Sequence, residues 1–275
     1  MPAAQIEMRE VGLSYFTPKQ ETEALRDVSL SVRAGEFISI VGPSGCGKST
    51  LLSLISGMLK PTKGKVLIDG QEVAGTSPKV GYMLQHDHLF EWRDVHSNLL
   101  VGAEIRRMDR KKAERKASEL MERYGLGGFA RHSPSQLSGG MRQRVALIRT
   151  LVAEPDILLL DEPFSALDFQ TRLSLADEVH RIIREQGKTA VLVTHDIPEA
   201  ISMADRVMVM SKRPSTISSV YEIRLEDEGG AAGKDGRSGG GSAAMTPMRK
   251  REVGRFQTYF NDIWKELEAH VVSAG

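Results

Sequence analysis

Apolar residues follow two different rhythms along this chain. Phe37-Ile38-Ser39-Ile40-Val41, Ile157-Leu158-Leu159-Leu160 and Thr189-Ala190-Val191-Leu192-Val193-Thr194 are short, nearly continuous apolar runs. Such runs predict strands buried on both faces, as in a parallel sheet. Val66-Leu67-Ile68-Asp69-Gly70 and Val80-Gly81-Tyr82-Met83-Leu84 predict two more strands. Between Gln5 and Val32 the pattern alternates instead, through Ile6, Met8, Val11, Leu13, then Val28, Leu30 and Val32. This predicts antiparallel strands around a polar loop at Thr17 to Glu23. Helical spacing recurs after Lys48 (Leu51, Leu52, Ile55, Leu59, stopped by Pro61) and from Phe169 to Gln186. A basic helix is expected from Arg106 to Tyr124, with Ala113, Ala117, Leu120, Met121 and Tyr124 on one face and a solvated charged face opposite. The stretch His86 to Asp94 mixes aromatics with charge and has no period. It reads as a surface loop whose Phe90 and Trp92 either bind a partner or fill the local core.

The C-terminal part reads separately. Residues 226–246 are rich in Gly, Ser and Ala and predict a flexible linker. Thr246 and Pro247 then suit the N-cap and first residue of a helix spanning 247–275. Its stripe of Phe256, Tyr259, Phe260, Ile263, Trp264 and Leu267 is too apolar to leave in water, since each large side chain contributes roughly 1.5–3 kcal/mol on burial. Docking on the chain's own core or on a second copy is expected, with Trp264 mostly buried.

Composition narrows the class. A length of 275 residues suits one large domain with a tail, and 40% apolar content can build a core. The net charge of +1 gives no general attraction to nucleic acid or an anionic membrane. Cys46 is the single cysteine, so no internal disulfide is possible and a reducing compartment is expected. No apolar run approaches the ~18 residues that span a bilayer, and residues 1–9 lack the apolar stretch of a secretory leader. A soluble chain is expected.

The chemistry is concentrated at strand ends. Gly42-Pro43-Ser44-Gly45-Cys46-Gly47-Lys48-Ser49-Thr50 fits G-x-x-x-x-G-K-[ST] between a buried strand and a helix. Its glycines let backbone N–H groups converge on β- and γ-phosphates at a helix N-terminus. Lys48 is placed to reach those phosphates, and the Ser49 hydroxyl to ligate Mg²⁺. Cys46, among those N–H groups and near Lys48, is expected to be a reactive thiol whose alkylation blocks nucleotide binding, or else only the small side chain that the loop requires. Gln85 ends a strand where it can touch Mg²⁺ or a water. Tyr15 or Phe16 can stack on an adenine ring or pack under the adjacent loop. Ser138 can cap a helix whose first residues, Gly139 and Gly140, leave backbone N–H groups open for a second phosphate. Two anion sites and one phosphate loop suggest a composite site between two copies. Asp161, after a buried strand, can hold Mg²⁺ through water, and its neighbour Glu162 can orient or deprotonate an attacking water. His195 projects from the same rim, toward a γ-phosphate. His86 and His88 are too few for a metal site.

The order of these motifs, over about residues 5–215, resembles the ATP-binding subunit of an ABC transporter. Gly42 to Thr50 matches the family's Walker A loop, Gln85 its Q-loop glutamine, and Leu137 to Gln143 its signature. Asp161 matches the Walker B aspartate, Glu162 the catalytic glutamate, Ser165 to Asp168 the D-loop, and His195 the switch histidine. Tyr15 is the better match to the adenine-stacking aromatic. The resemblance implies an α/β fold: a P-loop NTPase, RecA-like core with an antiparallel β subdomain and an inserted α-helical subdomain. The ATP-binding domain would span 1–225, its helical part about 86–155. ATP and Mg²⁺ are the implied cofactors. Two copies would face head to tail, each signature closing on the other copy's nucleotide, with Asp168 of the D-loop counted among the nucleotide-binding residues. Phe90 and Trp92 fall where such subunits receive the coupling helix of a membrane permease. Leu89-Phe90-Glu91-Trp92-Arg93 and Met210-Ser211-Lys212-Arg213-Pro214 resemble the branch importing nitrate, sulfonates, taurine or pyrimidine precursors.

The expected activity is ATP hydrolysis that powers solute transport from the cytoplasmic face of the membrane. The expected partners are a second copy, a permease and, indirectly, an extracytoplasmic solute-binding protein, with no nucleic acid. An ABC-type ATPase acting on DNA or ribosomes is the alternative; those proteins usually carry two cassettes or a long coiled coil, and this chain has neither. A P-loop GTPase or kinase would leave the signature stretch unexplained, and no N-K-x-D motif occurs.

Overall fold

The buried runs pair with one another, and their pairing sets where the site forms. The computed structural model describes residues 4–18, 20–225 and 245–272, with side chains through residue 270. Strands β1 (Ala4–Thr17) and β2 (Gln20–Arg33) form an antiparallel hairpin. The polar loop expected at 17–23 is instead strand almost to the tip, with Thr17 opposite Gln20. Ladder hydrogen bonds need no apolar side chains, so a polar segment can extend a hairpin beyond its core. The chain continues through β3 (Phe37–Val41), α1 (Lys48–Ile55), β4 (Lys63–Ile68), β5 (Gln71–Glu72) and β6 (Val80–Met83). Three helices follow, α2 (Val95–Ile105), α3 (Arg110–Arg123) and α4 (Gly139–Val152). Strands and helices then alternate as β7 (Ile157–Asp161), α5 (Phe169–Glu185), β8 (Thr189–Val193), α6 (Ile197–Met203) and β9 (Arg206–Met210), closed by the edge strand β10 (Ile217–Glu222).

Two sheets result, one antiparallel in the order β2-β1-β4-β5 and one in the order β10-β9-β3-β8-β7-β6. The second is parallel except for β10. Its inner strands β3, β7, β8 and β9 are buried on both faces, which explains their nearly unbroken apolar sequence. Ile38, Ile40, Ile157, Leu159, Val191 and Val193 turn toward α1 and the antiparallel sheet. Phe37, Val41, Leu158, Leu160, Ala190 and Leu192 turn toward the helical side.

The basic helix expected at 106–124 is α3, which begins only at Arg110 and buries Ala113, Ala117, Leu120 and Met121 as expected; the helix before it is separate. Asp109 caps α3, accepting from Lys112 N at 2.7 Å, and Asp94 caps the unforeseen α2, accepting from Ser97 N at 2.8 Å. Val95, Asn98, Leu99, Leu100 and Ala103 of α2 are all buried. A helix enclosed on several sides loses the clean apolar stripe by which a surface helix is read.

At the C-terminus, α7 (Pro247–Lys250) is capped by Thr246 and followed by α8 (Gly254–Val272). The linker expected at 226–246 lies outside the described residues except for its last two. Helix α8 lies on its own chain, beside α6 and β10: Phe256 and Ile263 are buried, and Tyr259, Phe260 and Leu267 partly so. Glu266 clamps it to β10, accepting from Ser219 Oγ and Tyr221 Oη, each at 2.7 Å, and from Ser218 Oγ. Burial opposes that carboxylate, but the hydroxyls hold its pKa below the usual range.

Trp264 departs from expectation, at 49% exposed. Ile263 occupies the centre of the contact line, and Trp264, one residue round the helix, falls on its edge and stacks on Phe260 (centroids 5.9 Å apart). In a Trp92→Phe background, Trp264 emission should therefore be readily quenched by iodide while α8 stays docked. A shielded, blue-shifted Trp264 would contradict this placement.

Candidate functional site

Four parallel strands deliver the site to one edge. In register, Val193 of β8 lies opposite both Ile40 of β3 and Asp161 of β7, and Met83 of β6 opposite Leu160. The residues just beyond these strands therefore emerge side by side, where open α/β sheets bind ligands. They enclose a cavity of about 500 Å³ lined by Gly42, Ser44, Gly45, Gly47, Lys48, Ser49, Thr50, Gln85, Glu162, His195 and Arg213.

The loop is shaped to approach a phosphate closely. Gly47 has φ 115° at the N-cap of α1, a conformation that side chains rarely adopt, and a Cβ there would meet Leu25 Cδ2 at 3.0 Å. Lys48 Nζ donates to the carbonyls of Gly42 (2.8 Å) and Pro43 (3.0 Å), which hold the ammonium across the loop. Pro43 enters through this carbonyl and does not line the cavity.

Cys46 lies underneath the loop, 2% exposed, and does not line the cavity either. The reactivity expected of it is corrected by this burial, because thiol chemistry needs access as well as favourable charge. Maleimide labelling followed by mass spectrometry should be far slower in native protein than in denaturant. Rapid native labelling would contradict the buried position.

Glu162 is the meeting point of the cavity. Its Oε2 accepts from Gln85 Nε2 at 3.3 Å, and His195 Nδ1 lies 3.2 Å from the same oxygen. The backbone there has φ 48°, left-handed for a non-glycine residue, at a cost of about 1–2 kcal/mol. Glu162 N donates to Val193 O (2.8 Å), and Glu162 O accepts from Gln143 Nε2 (3.1 Å) and Ser165 Oγ (3.0 Å). These bonds hold the strained turn. Asp161 is 3% exposed, and its Oδ1 has no hydrogen-bond partner. Burial pushes its carboxyl above the usual range, against a hydrogen bond from Ser49. Tyr82 Oη reaches Asp161 Oδ2 at 3.4 Å, and burial together with that charge pushes the phenol up to about 12.

The remaining expected residues lie outside this cavity. Tyr15 is 41% exposed, with its hydroxyl 3.2 Å from Thr50 Oγ1, at the far end of the loop. Ser138 caps α4, accepting from Met141 N at 3.3 Å, with Gly139 and Gly140 as the first helical residues. A Cβ on Gly140 would meet Leu167 Cδ2 at 2.9 Å, so glycine permits that packing. Asp168 caps α5, accepting from Thr171 N at 3.0 Å. Within one chain this second N–H cluster is separate from the phosphate loop.

Side chains beyond the expected ligand-binding and catalytic residues join the two. Gln143, on α4, binds Glu162 O and also accepts from Ala166 N at 3.1 Å, reading both sides of the 162–166 turn. Buried Asn98 stitches the aromatic loop, accepting from Phe90 N (2.8 Å) and donating to the carbonyls of Phe90, Arg93 and Asp94. Arg142 makes a fork to Asp87 (2.9 and 3.0 Å) and reaches Glu91 at 2.8 Å, while Arg149 donates to Asp87 O and His88 O. The loop after Gln85 is thus tied to α4, and Trp92 stands on it 79% exposed, its ring 4.8 Å from that of Phe90. No sequence signal marks Asn98, since it follows His96 and Ser97 in the mixed stretch Val95 to Leu100.

Fold and cavity together define a P-loop nucleotide hydrolase. The family model described as ABC transporter matches residues 25–165, and the chain belongs to the ABC transporter family as an ATP-binding, ATP-hydrolysing subunit. It is 46% identical over 256 residues to the uncharacterized ABC transporter ATP-binding protein YtlC of Bacillus subtilis, covering 93% of each chain. It is 40% identical to the taurine import ATP-binding protein TauB of Pelagibacter ubique, over 80% of this chain and 84% of that one. Among solved structures, the dimeric post-hydrolysis state of the ATP-binding cassette MJ0796, bound to ADP and Pi, superposes with a TM-score of 0.73 at 32% identity. That match covers 80% of this chain and 99% of the other.

Proposed function

We propose that this chain powers import of a small anionic solute such as a sulfonate, acting as a head-to-tail pair on the cytoplasmic face of a membrane permease. The observation that carries the catalytic assignment is the convergence of Gln85 and His195 on one oxygen of Glu162, on the strand-end rim that also carries the phosphate loop. Lys48 and the loop N–H groups hold the triphosphate. Glu162 accepts the proton of the attacking water as its oxygen bonds to the γ-phosphorus and the β–γ bridging oxygen leaves with ADP. Gln85 and His195 orient the carboxylate and the terminal phosphate.

A divalent cation suits the donors present: Asp161 Oδ1 is buried without a partner, and the Ser49 hydroxyl bonds the same carboxylate. Ser49 and Asp161, with Gln85, would hold Mg²⁺, which supplies charge neutralisation to the phosphates when bound.

The import reading is supported by the name of the taurine relative and by Trp92. This exposed indole stands on a loop bonded to α4, so force applied there reaches both Gln85 and the Ser138–Gly140 terminus. The dimeric state of the MJ0796 cassette supports pairing. A solute-binding protein on the outer face would deliver the cargo. Purifying the chain with its native membrane partner, and assaying solute-stimulated ATPase in proteoliposomes, tests this reading. Stimulation by a small anion, abolished by Trp92→Ala with basal hydrolysis retained, is expected. Co-purification with nucleic acid or ribosomes and no membrane partner would overturn it.

A further inference from the structure

The phosphate cavity has one lining residue that comes from none of the four strand ends already described. Arg213 belongs to the loop joining β9 to β10, and its exposed side chain lines the same cavity as Lys48, Gln85, Glu162 and His195. The loop is anchored where it matters. Val209 of β9 lies beside Val41 of β3, so the residues after β9 run alongside the start of the phosphate loop. A Cβ on Gly42 would meet Met210 Cβ and O at 3.0 Å, which shows how closely the two segments approach.

Ser215 fixes the loop from below. It is fully buried, and its hydroxyl is shared between Cys46 O, within the phosphate loop, and Ser211 O, each at 2.6 Å. Its backbone is paired as well: Ser215 N donates to Ala24 O and Arg26 N donates to Ser215 O, both at 3.0 Å. Thr216 N donates to Ser211 Oγ at 3.0 Å and closes the turn. Arg213 therefore stands on a short turn that is hydrogen-bonded to the phosphate loop itself, and its base moves with that loop.

The chemistry of the residue follows. A guanidinium is always charged and presents a planar fork of donors that matches phosphate oxygens, which a lysine ammonium does not. Lys48 is held over the Gly42 and Pro43 carbonyls, on the loop side of the cavity. Gln85, Glu162 and His195 mark the side where the terminal phosphate reacts. We propose that Arg213 binds the terminal phosphate of the nucleotide, a second cation that distinguishes ATP from ADP. This deepens the ATPase reading above and rests on it.

The test uses the full-length chain carrying Glu162→Gln, so that ATP persists, with calorimetric titration of ATP and of ADP in the presence of Mg²⁺. The parent is expected to bind both. Arg213→Ala should weaken ATP by about tenfold, the lower end for a charge-assisted hydrogen bond, and ADP by less than about threefold. Arg213→Lys should fall between, because it keeps the charge and loses the fork. Ser215→Ala, which releases the turn and leaves Arg213 in place, should also weaken ATP more than ADP. Unchanged ATP affinity in Arg213→Ala, or equal losses for ATP and ADP, would overturn the assignment while the parent's ATP binding upholds the ATPase reading. A parent that binds neither nucleotide would overturn that reading, and this inference with it.

Discussion

Glu162→Gln is expected to lower steady-state ATP hydrolysis by about 10²–10⁴-fold, the range for loss of a positioned general base. ATP affinity should change little. The substitution keeps the shape of the side chain and leaves an amide at the position where Gln85 Nε2 and His195 Nδ1 meet Oε2. Binding groups such as Lys48 and the loop N–H donors are untouched. Phosphate release under saturating ATP and a binding titration check the two halves separately. Hydrolysis at the wild-type rate would remove Glu162 from the role of base. A parallel loss of ATP affinity would make the residue part of binding instead.

The second large effect is on stability, and it comes from Glu199, one turn beyond His195. Glu199 is 3% exposed with Oε1 unpartnered, facing Asp196 on its own helix, Arg172 of α5 and Arg251 just after α7. Burial first, and Asp196 second, push its carboxyl up to about 8, against the two arginines. The folded state therefore holds a proton that the unfolded chain releases near 4.5. Stability from this group is fully present below that pH and is lost as pH rises through about 8. Two other buried groups titrate outside the upper part of this window. His180, driven down to about 3 by burial, affects stability as pH falls through 6.5 toward 3. Lys250, lowered to about 8 by burial, acts between 8 and 10.5. Between pH 6.5 and 8 wild-type stability should thus fall relative to Glu199→Gln, which carries no such proton. Urea midpoints for both proteins at the two pH values check this. Parallel midpoints across the window would contradict a protonated Glu199.

How much of this was legible in the sequence depended on whether chemistry or packing chose the residue. A phosphate loop needs its glycines and Lys48 at fixed spacing, and a buried parallel strand needs an unbroken apolar run. Both therefore show in one dimension, as do the acids that end β7. Trp264 shows the limit: periodicity names a face of α8, but the line of contact through Phe256 and Ile263 decides which ring is buried. Helix α2 shows no clean apolar stripe in the sequence because it is enclosed on several sides and carries Asn98 in its interior. At Cys46 the local charge is readable in the sequence and the burial under the loop is not. Arg213 is further still from legible. It reaches the cavity only because β9 pairs with β3, a pairing between segments far apart in the chain.

We propose that ATP joins two copies of this chain, the Ser138–Gly140 terminus of each completing the site of the other. Light scattering on Glu162→Gln, with and without ATP, measures this most directly. The mass of a single 30.3 kDa chain is expected without nucleotide and twice that mass with ATP, reverting to one chain when Ser138→Arg is added. A mass unaffected by ATP, or an ATP-dependent dimer indifferent to Ser138→Arg, would contradict it.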